Sequence, residues 1–216
     1  LPLQVVSIDD FYFEAERLDQ AMGGNPWGVP RALPGSHDLP LLLQTLSRWK
    51  DGEQVDLPQF DKSLRQGRGD RCGWRSCSAQ ILLLEGWFVG CQPLAQNTSI
   101  ELGCEHLFPS IRSEERDARA AVQVELRRYE QIWSELDSLW QIAAQDFRSP
   151  QIWKRQQEQQ MLQNTGVALD SDSLKGFIRM ILTAIPPQSF DRIQADVRVE
   201  VDPDRRLRQL RIRQKA

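Results

Sequence analysis

No apolar run in the 216-residue sequence approaches the roughly 20 residues that a membrane span needs. The opening residues do not read as a charged-then-apolar leader either. Basic excess is missing as well: 27 Lys and Arg against 30 Asp and Glu leave a net charge of -3, which gives no electrostatic footing for nucleic acid. Paired metal ligands are missing too. Cys72, Cys77, Cys91 and Cys104 lack the C-x2-C spacing, and Cys104 with His106 falls one pair short of a zinc set. Four scattered thiols in a chain of this size are expected to stay reduced. Internal repeats and low-complexity linkers are also absent. These absences leave a cytoplasmic protein with no membrane or nucleic-acid partner, a single domain over residues 1–216, and an oligomeric state the sequence does not give.

What is present alternates between strand and helix signals. Residues 3–8 make a short, mostly apolar strand. The stretch "HDLPLLLQTLSRWKDG" predicts a helix capped by Asp38, with Pro40 in its first turn and Gly52 at its stop. Four consecutive apolar residues at 81–84 predict a strand buried on both faces. Three more helices follow. One runs over 113–136 from a Ser113 cap, with Glu114 and Glu115 near its positive end. The second covers 149–166, from a Ser149 cap with Pro150 first and Gly166 last, and the third covers 171–187, stopped by Pro186 and Pro187. The alternating tail predicts a hairpin at about 195–213, turning at 202–205. Strands spaced by helices predict an α/β fold with a mostly parallel sheet.

Asp9, Asp10 and Glu85 stand where apolar runs end. Open parallel sheets bind ligands beyond the carboxyl ends of their strands. Carboxylates delivered there by two strands suit holding Mg2+ and accepting a proton from a substrate hydroxyl; the plainer alternative is that they begin polar loops. Between them lie two unusual segments. "RALPGSHD" at 31–38 packs a cation, a hydroxyl, an imidazole and a carboxylate into eight residues. "PQFDKSLRQGRGDR" at 58–71 reads as a loop with Lys62, Arg65, Arg68 and Arg71 around two glycines. Clustered cations suit a carboxylate or a phosphate, although a solvated loop has the same composition.

Taken in order, these motifs carry a resemblance. Asp9-Asp10-Phe11-Tyr12, "RALPGSHD", "PQFDKSLRQGRGDR", Glu85-Gly86-Trp87 and "WKRQQE" from Trp153 resemble the motif series of the D-glycerate 3-kinases of plants, cyanobacteria and fungi. These kinases are relatives of uridine kinase, phosphoribulokinase and bacterial pantothenate kinase. The family pattern runs D-D-F-Y, R-G-x-P-G-[ST]-H-D, P-x-[YF]-D-K-S-x-x-x-G-R-G-D-R, E-G-W and W-R-x-Q-x-E. The chain departs from it at Ala32, where the family has Gly, and at Lys154, where it has Arg. The resemblance implies a P-loop kinase-like three-layer α/β sandwich and a short strand at 139–143. It also implies an N-terminal βα unit that this sequence does not contain. The phosphate loop G-x-x-x-x-G-K-[ST] is absent, since Lys50, Lys62, Lys154, Lys175 and Lys215 all follow a residue other than Gly. Together with Leu1 in place of Met, this leads to the expectation of an N-terminally incomplete kinase domain that is inactive by itself.

For the intact protein the resemblance implies ATP- and Mg2+-dependent transfer of a phosphoryl group to D-glycerate. Asp9 would take the acceptor hydroxyl proton, and Glu85 with Asp9 would hold Mg2+. Asp10, Tyr12, Arg31, His37, Asp38, Asp61, Lys62, Arg68 and Arg71 would meet the substrate. Lys154 and Arg155 would neutralise nucleotide phosphate from a mobile lid. Trp74, Trp133, Trp140 and His106 are assigned to packing. Two alternatives stay open: a related small-molecule kinase acting on pantothenate or a nucleoside, and a non-catalytic remnant.

Overall fold

The computed structural model describes residues 1–213 apart from 106, 147 and 167. The chain divides into two compact units. The first comprises Leu1–Gly24, Pro30–Val89 and Arg128–Glu135, and the second Asn25–Val29, Gly90–Arg127 and Leu136–Ala216.

In the first unit, strand β1 (Leu3–Ser7) pairs in parallel with β4 (Ile81–Glu85), in a register that sets Ser7 opposite Glu85. β1 runs directly into a 3-10 turn, Ile8–Phe11, in which the Ser7 hydroxyl accepts the Asp9 N–H at 3.3 Å. Ile8 and Phe11 are fully buried. Gly86, just past β4, permits this, because a Cβ there would lie 2.4 Å from Ile8 Cγ2. Helix α1 (Ala15–Met22) follows the turn and buries Leu18 and Met22. Helix α2 (Leu39–Lys50) starts where its sequence predicts: Asp38 accepts from the Leu41 N–H at 3.2 Å, and Leu39, Leu42 and Leu46 form its buried stripe. The core is completed by Arg128–Glu135, which holds the end of helix α4 (Ser113–Trp133) and the two residues after it. There Tyr129 and Trp133 pack on Phe88 with ring centroids 5.2 and 6.4 Å apart, contacts each worth about 1 kcal/mol beyond the area they bury.

Two expectations are corrected in this unit. Residues 58–71 are not one loop. Strand β2 (Val55–Asp61) pairs antiparallel with β3 (Asp70–Cys77), and only a single turn, α3 (Leu64–Gly67), separates them. Pro58 and the glycines suggest a loop in sequence, but a two-stranded ribbon leaves Pro58 an edge position where no N–H is required. The second correction concerns β4. Its apolar run is not buried on both faces: Ile81 and Leu83 are exposed, as are Leu3 and Val5 of β1, because the core covers one face of this pair.

The second unit holds β5 (Trp140–Ala144), β6 (Val197–Val201) and β7 (Leu207–Ile212). β5 and β6 are parallel, and β6 and β7 form an antiparallel ladder. Helix α5 (Ser149–Thr165) ends at Gly166 in the left-handed region. Helix α6 (Ser171–Thr183) is capped by Asp170 and buries Phe177, Ile178 and Met180. It stops before Pro186, and a short helix α7 (Pro187–Asp191) follows. Glu115 of α4, with a fully buried side chain, pairs with Arg179 of α6 at 2.7 Å and accepts the Arg112 N–H at 2.9 Å. Burial alone would raise its pKa, but the guanidinium groups and the N–H outweigh this and bring it down to about 2. No helix among the described residues is long and apolar enough to cross a membrane.

Candidate functional site

The first unit brings most of the sequence-predicted residues around the turn after β1. Tyr12 and His37 form an antiparallel bridge, with Phe13 N–H donating to Ser36 O and Asp38 N–H to Phe11 O. This joins the D-D-F-Y segment to the G-S-H-D segment. The Tyr12 and His37 rings stack 4.5 Å apart. Asp9 is the centre of the arrangement. Its Oδ1 accepts from Tyr12 OH at 2.8 Å, its Oδ2 from Lys62 Nζ at 2.7 Å, and His37 Nε2 stands 3.9 Å from Oδ1. Burial pushes the Asp9 carboxyl up, but His37, Lys62 and Tyr12 together hold it well below the usual carboxylate range. Asp9 is therefore ionised throughout the physiological range. Burial and the neighbouring anion raise Tyr12, and burial lowers the His37 imidazole against the pull of Asp9.

Several other predicted residues are committed to architecture. Asp10 accepts the Phe60 N–H at 3.3 Å, beside the bulge in β2. Asp38 caps α2, and Asp61 accepts from both the N–H and the hydroxyl of Ser63. Arg31 is buried and clamps the α3 turn by donating to Gly67 O at 2.6 Å and Arg68 O at 3.0 Å. Arg71, with a side chain only 11% exposed, pairs with Glu14 at 2.8 Å, donates to Tyr12 O at 3.1 Å and lies over the Trp74 ring. Arg65 and Arg68 both pair with Asp19, Arg68 at 2.7 Å. Arg65 and Gln66 have φ of 52° and 58°, in the left-handed region, a conformation that costs non-glycine residues about 1–2 kcal/mol each. Next to them Gly69, at φ 82°, leaves no room for a side chain: a Cβ would lie 2.3 Å from Phe60 Cε1. Among the described contacts each cation of residues 58–71 already holds a protein carboxylate, so an anion entering here competes with one.

Glu85 is exposed at the end of β4 and faces the end of β1. Lys154 and Arg155 belong to α5 in the second unit. There Lys154 pairs with Glu158 at 2.6 Å and lies over the Phe177 ring, while Arg155 is exposed. No cluster of three or more His, Cys, Asp or Glu side chains suited to a metal occurs among the described residues, and His106 lies outside them.

Sequence reasoning missed Tyr129, Glu14 and Asp19. Tyr129 OH stands 2.7 Å from His37 Nδ1 and accepts the Gly35 N–H at 3.0 Å. It lies 92 residues after His37 in an amphipathic helix, at a spacing from Val122 and Leu126 that marks only a core stripe. The indole N–H of Trp87 donates to Ala32 O at 2.9 Å, tying the E-G-W motif to the same loop.

Comparison with protein-family models finds no match. Among curated proteins, the chain is 39% identical over 102 residues to the probable ATP-dependent kinase TDA10 of Saccharomyces cerevisiae, which covers 42% of the chain and 35% of that protein. It is 28% identical over 192 residues to the chloroplastic D-glycerate 3-kinase of Arabidopsis thaliana, covering 83% of the chain and 39% of that protein. The chain thus spans less than two fifths of the length of either relative. Among solved structures, the D-glycerate 3-kinase of Cryptococcus neoformans superposes with a TM-score of 0.83 at 26% identity, covering 98% of this chain and 80% of that one.

Proposed function

From its similarity to D-glycerate 3-kinases, we propose that the chain belongs to that family of P-loop kinases and that the whole protein transfers the γ-phosphoryl group of ATP to a hydroxyl of D-glycerate. The observation that carries this reading is the Asp9 carboxylate, held ionised beyond the end of a parallel strand by Lys62 and Tyr12. A permanently charged carboxylate is a weak base, so its main contribution is to orient the acceptor hydroxyl and to take its proton late, as the bond to phosphorus forms. Lys62, released from Asp9, then faces the incoming negative charge. Arg68 and Arg65 exchange Asp19 for the glycerate carboxylate, while Arg31 and Arg71 hold the segment in shape. Glu85 at the end of β4 and Asp9 in the turn after β1 would supply two hard oxygens, a donor set that suits Mg2+, which takes one or two protein carboxylates and fills its shell with water and phosphate. When bound, that ion neutralises phosphate charge. Lys154 and Arg155 are assigned to the nucleotide phosphates, and Lys154 must leave Glu158 to reach them. A cytoplasmic location completes the proposal, in keeping with four cysteines that stand as thiols.

The test is an ADP-release assay on the complete gene product with ATP and Mg2+, offering D-glycerate, glycerol, pantothenate and uridine in turn. Turnover confined to D-glycerate is the expected result. Turnover confined to pantothenate or uridine, or none with any acceptor, would overturn it.

A further inference from the structure

His37 is 2% exposed, and its two ring nitrogens meet different surroundings. Nδ1 lies 2.7 Å from Tyr129 Oη and 3.3 Å from Ser36 Oγ, and the Ser36 proton is directed to Leu33 O at 2.5 Å. Nε2 is buried without a hydrogen-bond partner and faces Asp9 Oδ1 at 3.9 Å. The ring plane is held by stacking on Tyr12 and by edge contacts with Phe88 and Tyr129.

A neutral imidazole has two tautomers, and these surroundings separate them. With the proton on Nδ1, the lone pair of Nε2 would point at a carboxylate with no donor near it, an arrangement that is both repulsive and unsatisfied. With the proton on Nε2, an N–H dipole faces the anion, and Nδ1 requires a donor. The Tyr129 hydroxyl is at the ordinary spacing for such a bond, and the Gly35 N–H already occupies one of its lone pairs. We propose that Tyr129 is a positioning residue of this site: its hydroxyl donates to His37 Nδ1 and fixes the imidazole as the tautomer carrying its proton on Nε2, toward Asp9. The inference rests on the reading of Asp9 as the carboxylate that faces the acceptor. It adds a connection from α4 through the imidazole to that carboxylate, so that Asp9 is met by Tyr12 and His37 on one oxygen and by Lys62 on the other. Without the Tyr129 hydroxyl, Ser36 Oγ becomes the partner of Nδ1 as an acceptor, and the ring is free to turn a lone pair on Asp9.

Long-range 1H–15N correlation spectra of the ring, recorded on the 216-residue chain with 15N-labelled histidine, read the tautomer directly. His106→Gln removes the only other histidine, leaving His37 as the sole signal. The expected wild-type pattern is that of the Nε2–H form. In Tyr129→Phe the two nitrogen shifts should move toward each other as the second form becomes populated, whereas Ser36→Ala should keep the wild-type pattern. An Nδ1–H pattern in the wild type, or an unchanged pattern in a folded Tyr129→Phe variant, would overturn the proposal. If Tyr129→Phe fails to fold, the wild-type and Ser36→Ala spectra still decide. No nucleotide or acceptor is present in the measurement, so its result stands apart from whether glycerate is the substrate.

Discussion

Replacing Ala32 by glycine should make the protein slightly more stable, against the usual trend for that exchange. Ala32 sits in the site loop at φ 81°, in the left-handed region, where a Cβ costs about 1–2 kcal/mol. Glycine removes that strain but adds freedom to the unfolded chain, at about 0.4–1 kcal/mol. It also gives up a half-buried methyl group, about 0.4 kcal/mol at half the value of a fully buried one. The balance is a gain of about 0.5 kcal/mol, or about 1–2 °C in midpoint temperature for a protein of this size. Gly52, which ends α2 at the same φ of 81°, supplies the mirror experiment, because a Cβ added there meets nothing within 4 Å. Gly52→Ala should therefore lose about 0.5–1 kcal/mol, the same strain of about 1–2 kcal/mol less the freedom removed from the unfolded chain. Urea unfolding of both variants, followed by tryptophan fluorescence, measures the two shifts. If Gly52→Ala loses stability as expected while Ala32→Gly also loses it, the strain assigned to Ala32 is wrong.

Other expectations follow from the same geometry. Gly69→Ala combines a positive φ with a Cβ 2.3 Å from Phe60 and should cost about 3 kcal/mol or more in urea unfolding; a loss under about 1 kcal/mol would show that the β2–β3 turn yields freely. Asp9→Asn in the whole protein should reduce glycerate turnover about 100-fold, and near-normal turnover would remove Asp9 from the mechanism. Arg68→Ala should lower catalytic efficiency on glycerate about 10- to 100-fold, for one lost charge-assisted contact, and leave ATP affinity nearly unchanged; an equal loss of ATP affinity would assign Arg68 to ATP. The folded-state pKa of Glu115, near 2, lies below its ordinary 4.5. Its contribution to stability is thus complete above pH 4.5 and is lost as pH falls from there toward 2. Glu115→Gln should flatten the stability-against-pH curve across that window, and an unchanged slope would refute the assignment.

What could be read in advance was local. The Asp38 cap, the Gly52 stop and the Gly166 end depend on a few neighbouring residues, and each occurs as its residue types dictate, whereas Ser149, read as the cap of α5, is its first helical residue and makes no cap hydrogen bond. The β2–β3 ribbon was hidden because Pro58 and the glycines are loop formers whose strand positions depend on a partner strand. Exposure of Ile81 and Leu83 was hidden for a related reason: an apolar run reports that a strand wants cover, not whether cover is present. In the site, Asp9, His37 and Lys62 were legible because their motifs are contiguous and the turn after β1 gathers them. The partners of the cations were not. Glu14 and Asp19 sit in or beside α1, and only the folded chain sets them against Arg71, Arg65 and Arg68. The family's Gly at the position of Ala32 has its explanation in the φ that Ala32 adopts.

The carboxylate of Asp19, shared by Arg65 and Arg68, behaves as a tethered competitor. Attached to the same chain, it meets the guanidinium groups at an effective concentration on the order of millimolar or more, so an incoming anion competes with it for their donors. A simple inorganic anion offers one kind of contact and gains little from the exchange. A hydroxy acid that engages the arginines and Asp9 together gains from both. Under the proposed function, this arrangement favours an acceptor that carries a hydroxyl beside its charge over a bare ion.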